Sequence, residues 1–480
     1  MRGARSLPPQ IVKEARALLP LWAGTMVALA AAFLWRERSY SDLGMIGYVF
    51  GVVSLGAHAI GHEYHHRTLP MLLAQPVARS RVFAAKFLVL AVMLATIAVA
   101  AAAVFAADRF RGNDASRFVV LPMLAALFTT PLFTIICRNT LAGAVLGTSG
   151  PMTVWVITMV VAWWLFGIAS HVVTSWFFEH WVTLAIVACP IFGAWTWRAF
   201  NRIEAIEGMP ATLTLPRWAG APIGTRRYSP WRALLAKELH LQQMTILITL
   251  FYGVIWIAGV ALRQHASPAL LLPLEAVLLL YCLGLAIVIG ALASAEERQQ
   301  GTLETQLLQP FGSLKQWLAK CTVSLGLALL LGVGLPTLLI GFVTPPDGSP
   351  SMLAALRVNL VLLVLLLTAA SLYISSLVSS GVKAMAWSLP AGIGAAMFIQ
   401  TAQGAIVEVS TKLGSPLPAD YAEASIAGAR VLTVLIVPVL LWFGYVNHTA
   451  AEHPVRRTLI QGGVLAALIV TGVIAGGALI

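Results

Sequence analysis

Residues 63–86 read EYHHRTLPMLLAQPVARSRVFAAK, and residues 297–320 read ERQQGTLETQLLQPFGSLKQWLAK. At a constant offset of 234 residues, Glu63 pairs with Glu297, Thr68 with Thr302, Leu69 with Leu303, Leu73 with Leu307, Gln75 with Gln309, Pro76 with Pro310, Ala85 with Ala319 and Lys86 with Lys320. Chance rarely gives so rigid a match, so the chain is a duplicated unit. In each copy an apolar run ends just before the glutamate and another starts around the lysine. The repeated stretch is therefore a polar connection between two membrane spans, on one side of a bilayer.

Working outward, the rest of the chain has the composition that such spans need. Of its 480 residues 59% are hydrophobic and 10% charged, and the mean hydropathy is +0.85. Soluble globular domains lie far from these values. Apolar runs of about 18 residues or more, each able to cross a hydrocarbon core as a helix, recur along nearly the whole length. The longest polar interval, about 198–243, is too poor in apolar periodicity to form a soluble core. The formal charge of +12 is spread through short loops rather than gathered on a face, which argues for membrane orientation and against nucleic acid. Cys137, Cys189, Cys282 and Cys321 stand singly with no metal-ligand spacing, so neither a disulfide framework nor a zinc site is expected from them.

The expected fold is an all-α polytopic membrane protein with about 12 or 13 transmembrane helices. Six spans (18–35, 44–61, 84–107, 118–137, 143–166, 181–198) fall in a first half, residues 1–200, and a cytoplasmic linker covers 201–230. Six more (245–262, 269–293, 321–343, 353–377, 384–404, 427–446) fall in a second half, 231–450. A further span within 451–480 has no counterpart and carries Gly472 and Gly476 in GxxxG spacing. The stretches 11–19 and 231–239 each follow a proline and read as short helices lying in the membrane interface, with Lys13-Glu14 resembling Lys237-Glu238. The intervals Gly167–His180 and Gln403–Ser425 read as external loops or short interfacial helices. Placing the N-terminus and the repeated loops in the cytoplasm puts 22 of the 31 Lys and Arg inside, as the positive-inside rule requires. The first span is followed by Arg36 and Glu37 rather than a cleavage site, so it reads as retained.

Within the loop, Thr68 or Thr302 can cap a short helix, Leu69/Leu73 and Leu303/Leu307 stand at i, i+4, and Pro76 or Pro310 ends the element. This predicts a two-turn stub with an apolar ridge, and such a ridge asks for a receptor; a capped loop packed under the bundle is the plainer reading. The pattern Glu-x-x-x-Gly-Thr-x-Glu-x-x-Leu-x-x-Pro with a following lysine resembles the signature loop of the type 2 permease family of ATP-binding-cassette transporters. The second copy carries it as Glu297, Gly301, Thr302, Glu304, Leu307, Pro310 and Lys320; the first keeps Glu63, Thr68, Leu73, Pro76 and Lys86 but has Arg67 and Pro70 at the glycine and second acid. The resemblance implies a multi-pass inner-membrane permease whose two coupling loops seat in two copies of a separate ATPase subunit and drive export. The chain has no G-x-x-x-x-G-K-[ST] loop, so ATP and Mg would be bound by that partner and no cofactor by this chain.

A rival of another class lies in the same stretch. His62-Glu63-Tyr64-His65-His66 satisfies H-E-x-x-H, the helical zinc motif of metalloproteases, at the end of a span. Against it, every aspartate falls on the expected external side, and the repeat replaces His62 and His66 by Glu296 and Gln300 while keeping the glutamate. No metal site is therefore expected. A histidine stripe of His58, His62, His65 and His66 could alternatively serve as a polar anchor or pH sensor. Glu275 is the one acid well inside an apolar run, which makes it a candidate for the substrate pathway, or a group reaching external water.

Overall fold

The computed structural model describes residues 9–34, 41–65, 68–74, 76–106, 113–147, 170–203, 230–263, 271–300, 311–341, 352–378, 380–388, 391, 421–450 and 455–478. Among them the chain is helical and contains no strand. Seven helices are long and apolar enough to cross a membrane, and a bent pair makes an eighth if taken as one span. The protein is an all-α, multi-pass membrane protein. The expected spans 143–166 and 384–404 lie largely outside the described residues.

The chain forms two compact units. The first comprises Met1–Ile223 and Ile246–Ala276, the second Gly224–Thr245 and Val277–Ile480. Residues 246–276 thus group with the first half of the chain, so no single cut point, such as one near residue 230, separates the units.

In the first unit α1 (Pro9–Leu34), α2 (Ser41–His65), the five-residue α3 (Leu69–Leu73) and α4 (Arg79–Ala106) follow one another. α5 (Asn113–Leu124) passes through a π-helical turn, Ala125–Thr129, into α6 (Thr130–Cys137). α7 (Ser170–Arg202) follows, and residues 246–276 complete the unit. α1 packs along both α2 and α4. It does not contain a separate interfacial helix: it starts with Pro9 in its first turn, which suits a ring that lacks an N–H, and continues through Pro20 to Leu34. α7 likewise absorbs most of the expected external interval Gly167–His180 as continuous helix from Ser170. At the foot of α6, Arg138 takes φ 50°, and the side-chain oxygen of Asn139 accepts the N–H groups of Leu141 and Ala142 at 2.9 and 3.1 Å to start the next helix.

The second unit holds α8 (Pro230–Leu241) and most of α10 (Leu271–Gln300); α9 (Gln243–Arg263), which follows α8 in sequence, belongs to the first unit from Ile246 onward. α11 (Ser313–Leu329) continues through a π-helical turn, Leu330–Gly334, into α12 (Leu335–Gly341). α13 (Met352–Leu377), α14 (Tyr421–His448) and α15 (Val455–Ala478) complete it. Here the corresponding first helix, α8, is distinct from the next, because the chain bends by 53° between Leu241 and Gln243. The cause is local and polar. Gln242 N–H bonds back to Leu239 O at 3.1 Å, Thr245 N–H and hydroxyl both bond to Gln242 O, and the Gln242 amide leaves the helix to donate to Ile289 O at 3.0 Å.

The repeat extends up the helices that precede the loops. Gly56 on α2 and Gly290 on α10 are 234 residues apart, and each lies against the backbone of a neighbouring helix. A Cβ at Gly56 would overlap the carbonyl oxygen of Ala126, and one at Gly290 would lie 2.6 Å from that of Thr368. Small residues of this kind let membrane helices approach to backbone contact. The position of Phe83 repeats as Trp317, and each packs against the end of its unit's penultimate or final long helix: Phe83 on Phe200 of α7, ring centroids 5.4 Å apart, and Trp317 on His448 of α14, 5.5 Å apart.

Candidate functional site: twin ion clusters beneath the repeated loops

The repeated glutamate and lysine end up in the same place in both units. In the first, Lys13 and Glu14 come from α1, Glu63 from the last turn of α2 and Lys86 from α4. Lys86 Nζ donates to Glu14 Oε2 at 2.8 Å and to Glu63 Oε1 at 3.1 Å, and Lys13 Nζ donates to Glu63 Oε1 at 3.0 Å. The second unit builds the same figure from α8, α10 and α11. Lys320 Nζ donates to Glu238 Oε1 and Oε2 at 3.0 and 3.1 Å and lies 2.7 Å from Glu297 Oε2, while Lys237 Nζ donates to Glu297 Oε1 at 2.6 Å. Glu63, Glu297 and Lys320 are completely buried, and Lys86, Glu14 and Glu238 nearly so. Each cluster pairs two ammonium groups with two carboxylates, the condition under which charges are tolerated away from water.

Burial alone would raise the Glu63 carboxyl, but the neighbouring His62 ring, the charge of Lys86 and the hydroxyl of Thr68 hold it well below the usual carboxylate range. For Glu297, burial is likewise outweighed by Lys320 and Lys237, and its carboxyl is held down. Both glutamates are ionised anchors that tie the start of each repeated loop to the helix before its half and the helix after the loop.

The loop residues themselves are placed as follows. Thr68 does not cap α3 with its side chain: its hydroxyl donates to Glu63 Oε2, and its N–H bonds to Glu63 O at 3.0 Å, ending α2. Its carbonyl then accepts Leu72 N–H at 2.9 Å. Leu69 is fully buried with Tyr64, Leu72, Phe83 and Phe200, so it faces the core and not a receptor. The outward face of α3 is Met71, 74% exposed, followed by Ala74 and Pro76. The side chain of Leu73, and Gly301, Thr302, Leu303, Glu304, Leu307 and Pro310, lie outside the described residues, as does the side chain of Glu275 on α10.

His62 adds a fifth member to the first cluster. Its Nδ1 faces His58 O at 3.0 Å, and since a carbonyl only accepts, that nitrogen carries a proton. Its Nε2 lies 3.2 Å from Glu63 Oε1 and 3.8 Å from Glu14 Oε2. Glu14, His62 and Glu63 are the donor set a metal would ask for, with ligand atoms within 4.8 Å of one another. Glu14 is the additional carboxylate that the H-E-x-x-H reading lacked. The same oxygens, however, already receive Lys13 and Lys86, so ammonium groups stand where a cation would. His66 lies outside the described residues.

Sequence reasoning named Glu63 and Glu297 but not their partners Glu14 and Glu238. The signal was available in the Lys-Glu dipeptides at 13–14 and 237–238. Their offset is 224 rather than 234, which hides them from an alignment held to one register. Comparison with known protein families, with curated proteins and with solved structures finds no match for this chain.

Proposed function

We propose that the chain is the permease subunit of an ATP-driven exporter in a cytoplasmic membrane, with two six-helix halves fused in one polypeptide and an additional last helix. On this reading the N-terminus and both repeated loops are cytoplasmic. Each loop docks on one of two copies of a separate ATPase, which supplies the ATP and Mg site. The observation that carries the reading is the repetition, at the root of both loops, of a four-residue ion cluster in which two carboxylates and one lysine are buried and the second lysine reaches the surface. A loop rooted in three helices transmits a push to all three, because a buried charge cannot slide from its partner without a large cost. The loop that docks is thereby mechanically continuous with the bundle. In the first loop, docking falls to the exposed Met71, Ala74 and Pro76 rather than to Leu69.

The test is reconstitution with the cognate ATPase. The chain alone is expected to hydrolyse no ATP, and the complex to show substrate-stimulated turnover. Glu304→Ala is expected to reduce that turnover more than Pro70→Ala, because a carboxylate in the first turn of a helix is favoured by the helix dipole and proline supplies no charge. Turnover by the chain on its own, or transport without any ATPase, would end the proposal. His62→Ala is expected to leave transport largely intact; one zinc per chain lost in that variant would instead support proteolysis.

A further inference from the structure

The ion cluster of the second unit is neutral in itself, yet two more cations stand beside it. Arg298 follows Glu297 at the end of α10, and its Nη2 donates to Asn447 O at 3.1 Å, at the foot of α14. Asn447 is fully buried and exchanges two amide hydrogen bonds with Gln461 of α15, at 3.1 and 3.2 Å. Arg457 lies one helical turn before Gln461 and therefore on the same face of α15. These contacts lead from Arg298 through Asn447 and Gln461 to the helix face that carries Arg457.

Both guanidinium groups are incompletely satisfied. Arg298 Nε and Arg457 Nη1 are buried without a hydrogen-bond partner among the described residues. Next to Asn447, His448 is completely buried, and neither of its ring nitrogens has a partner there. A buried donor on a charged group that meets no acceptor costs more than an ordinary missing bond. What is absent from this corner is an anion with several acceptor oxygens. The guanidinium fork matches phosphate in geometry and charge, and the N-terminus of α15 adds N–H groups that favour an anion. On the next turn Leu459 and Ile460 are 70% and 56% exposed, so an apolar strip begins where the basic groups end. That order, cation at the membrane edge and hydrocarbon beyond it, is the order of a lipid.

We propose that the foot of α14 and the first turn of α15 bind the phosphate headgroup of an anionic lipid, held by Arg298 and Arg457 with its acyl chains along Leu459 and Ile460. The experiment uses the full chain in phosphatidylcholine nanodiscs doped with phosphatidylglycerol, followed by mass measurement of the lipids retained on extraction. Wild-type protein is expected to retain phosphatidylglycerol selectively, and Arg298→Gln/Arg457→Gln to retain it roughly thirtyfold less, as loss of two basic contacts at a membrane surface implies. Arg16→Gln, at an exposed basic residue of the first unit, is expected to change nothing. Equal retention of both lipids by the wild type overturns the proposal without recourse to a variant, since the acceptor then comes from elsewhere in the chain. So does equal loss in Arg16→Gln, which would indicate unspecific charge attraction. Displacement by excess inorganic phosphate would show a free-anion site and overturn the lipid assignment.

Discussion

Among the described residues the loop root of the first unit is tied by six side chains and that of the second by four, and the four that recur define the shared figure. Lys13/Lys237, Glu14/Glu238, Glu63/Glu297 and Lys86/Lys320 recur with the same partners. In the first unit His62 and the Thr68 hydroxyl join them, while Thr302, at the position of Thr68, lies outside the described residues; in the second Lys320 also donates to a backbone acceptor, Ala293 O at 3.0 Å. Lys320 thus spends its three protons on two carboxylates and a carbonyl in a site with no water access, while Glu63 has additional donors in reserve. The last long helix is treated in the same divergent way. Arg79, at the start of α4, donates to Asn201 O and Ile203 O at 2.8 and 3.0 Å and closes the C-terminus of α7. The C-terminus of α14 is closed by Arg298, from a different helix and with one bond. The task repeats although the residue does not, since position 79 repeats as Ser313 and position 298 as Tyr64.

The largest expected effect breaks the clusters. Lys320→Met leaves two buried carboxylates facing each other and is expected to cost about 3–5 kcal/mol, the range for removing one partner of a buried pair. Lys86→Met should cost less, because His62, whose position is Glu296 in the repeat, still faces Glu63 beside Lys13. Hydrogen exchange in α11 and α4 measures the two; equal losses would mean that the extra members of the first cluster contribute nothing.

A smaller effect tests the paired glycines. Gly56→Ala and Gly290→Ala each push a methyl group into a neighbouring carbonyl, and overpacking of this kind costs about 1–3 kcal/mol. Gly56→Ala should be the worse because its approach is the closer. Thermal unfolding midpoints in detergent decide the order.

Arg79→Gln should then cost about 2 kcal/mol and Arg298→Gln about 1, following the number of charged hydrogen bonds lost at the helix ends. Proteolytic nicking just after α7 and after α14 reports each end separately. The gentlest probe is acid. Glu63 and Glu297 both have carboxyls held below their unfolded value of about 4.3, so the stabilisation they supply is fully present above that pH and declines as pH falls below it. Stability of α2 and α10, read as exchange protection corrected for the intrinsic exchange rate at each pH, should therefore hold from neutral pH down to about pH 5 and fall together at lower pH; a fall confined to one helix would show that the two glutamates do not act alike.

Hydropathy made the helices legible, and the 234-residue register made the loop roots legible, because both are properties of the chain read along its length. What the sequence hid depends on which side of a short helix faces inward. A ridge of leucines on a two-turn stub is the same pattern whether it meets a partner or the protein's own core, and Leu69 meets Tyr64 and Phe200. The unbroken α1 and the bend after α8 were equally hidden, since both stretches begin with proline and a Lys-Glu pair. Only Gln242, a polar residue with a carbonyl to reach on α10, separates them. The π-helical turns left no sequence mark, and they fall on different spans of the two units: Ala125–Thr129 on the fourth and Leu330–Gly334 on the third.

The reciprocal amides of Asn447 and Gln461, with the Tyr373 hydroxyl donating to Gln461 Oε1 at 3.0 Å, have a consequence for the order of events during synthesis. The ribosome delivers Tyr373 and Asn447 to the membrane before Gln461 exists. Until it arrives, neither the Asn447 amide nor the Tyr373 hydroxyl has this partner, and the seam between α13, α14 and α15 is left without its hydrogen bonds. The last helix is therefore seated by matched polar groups as well as by apolar packing.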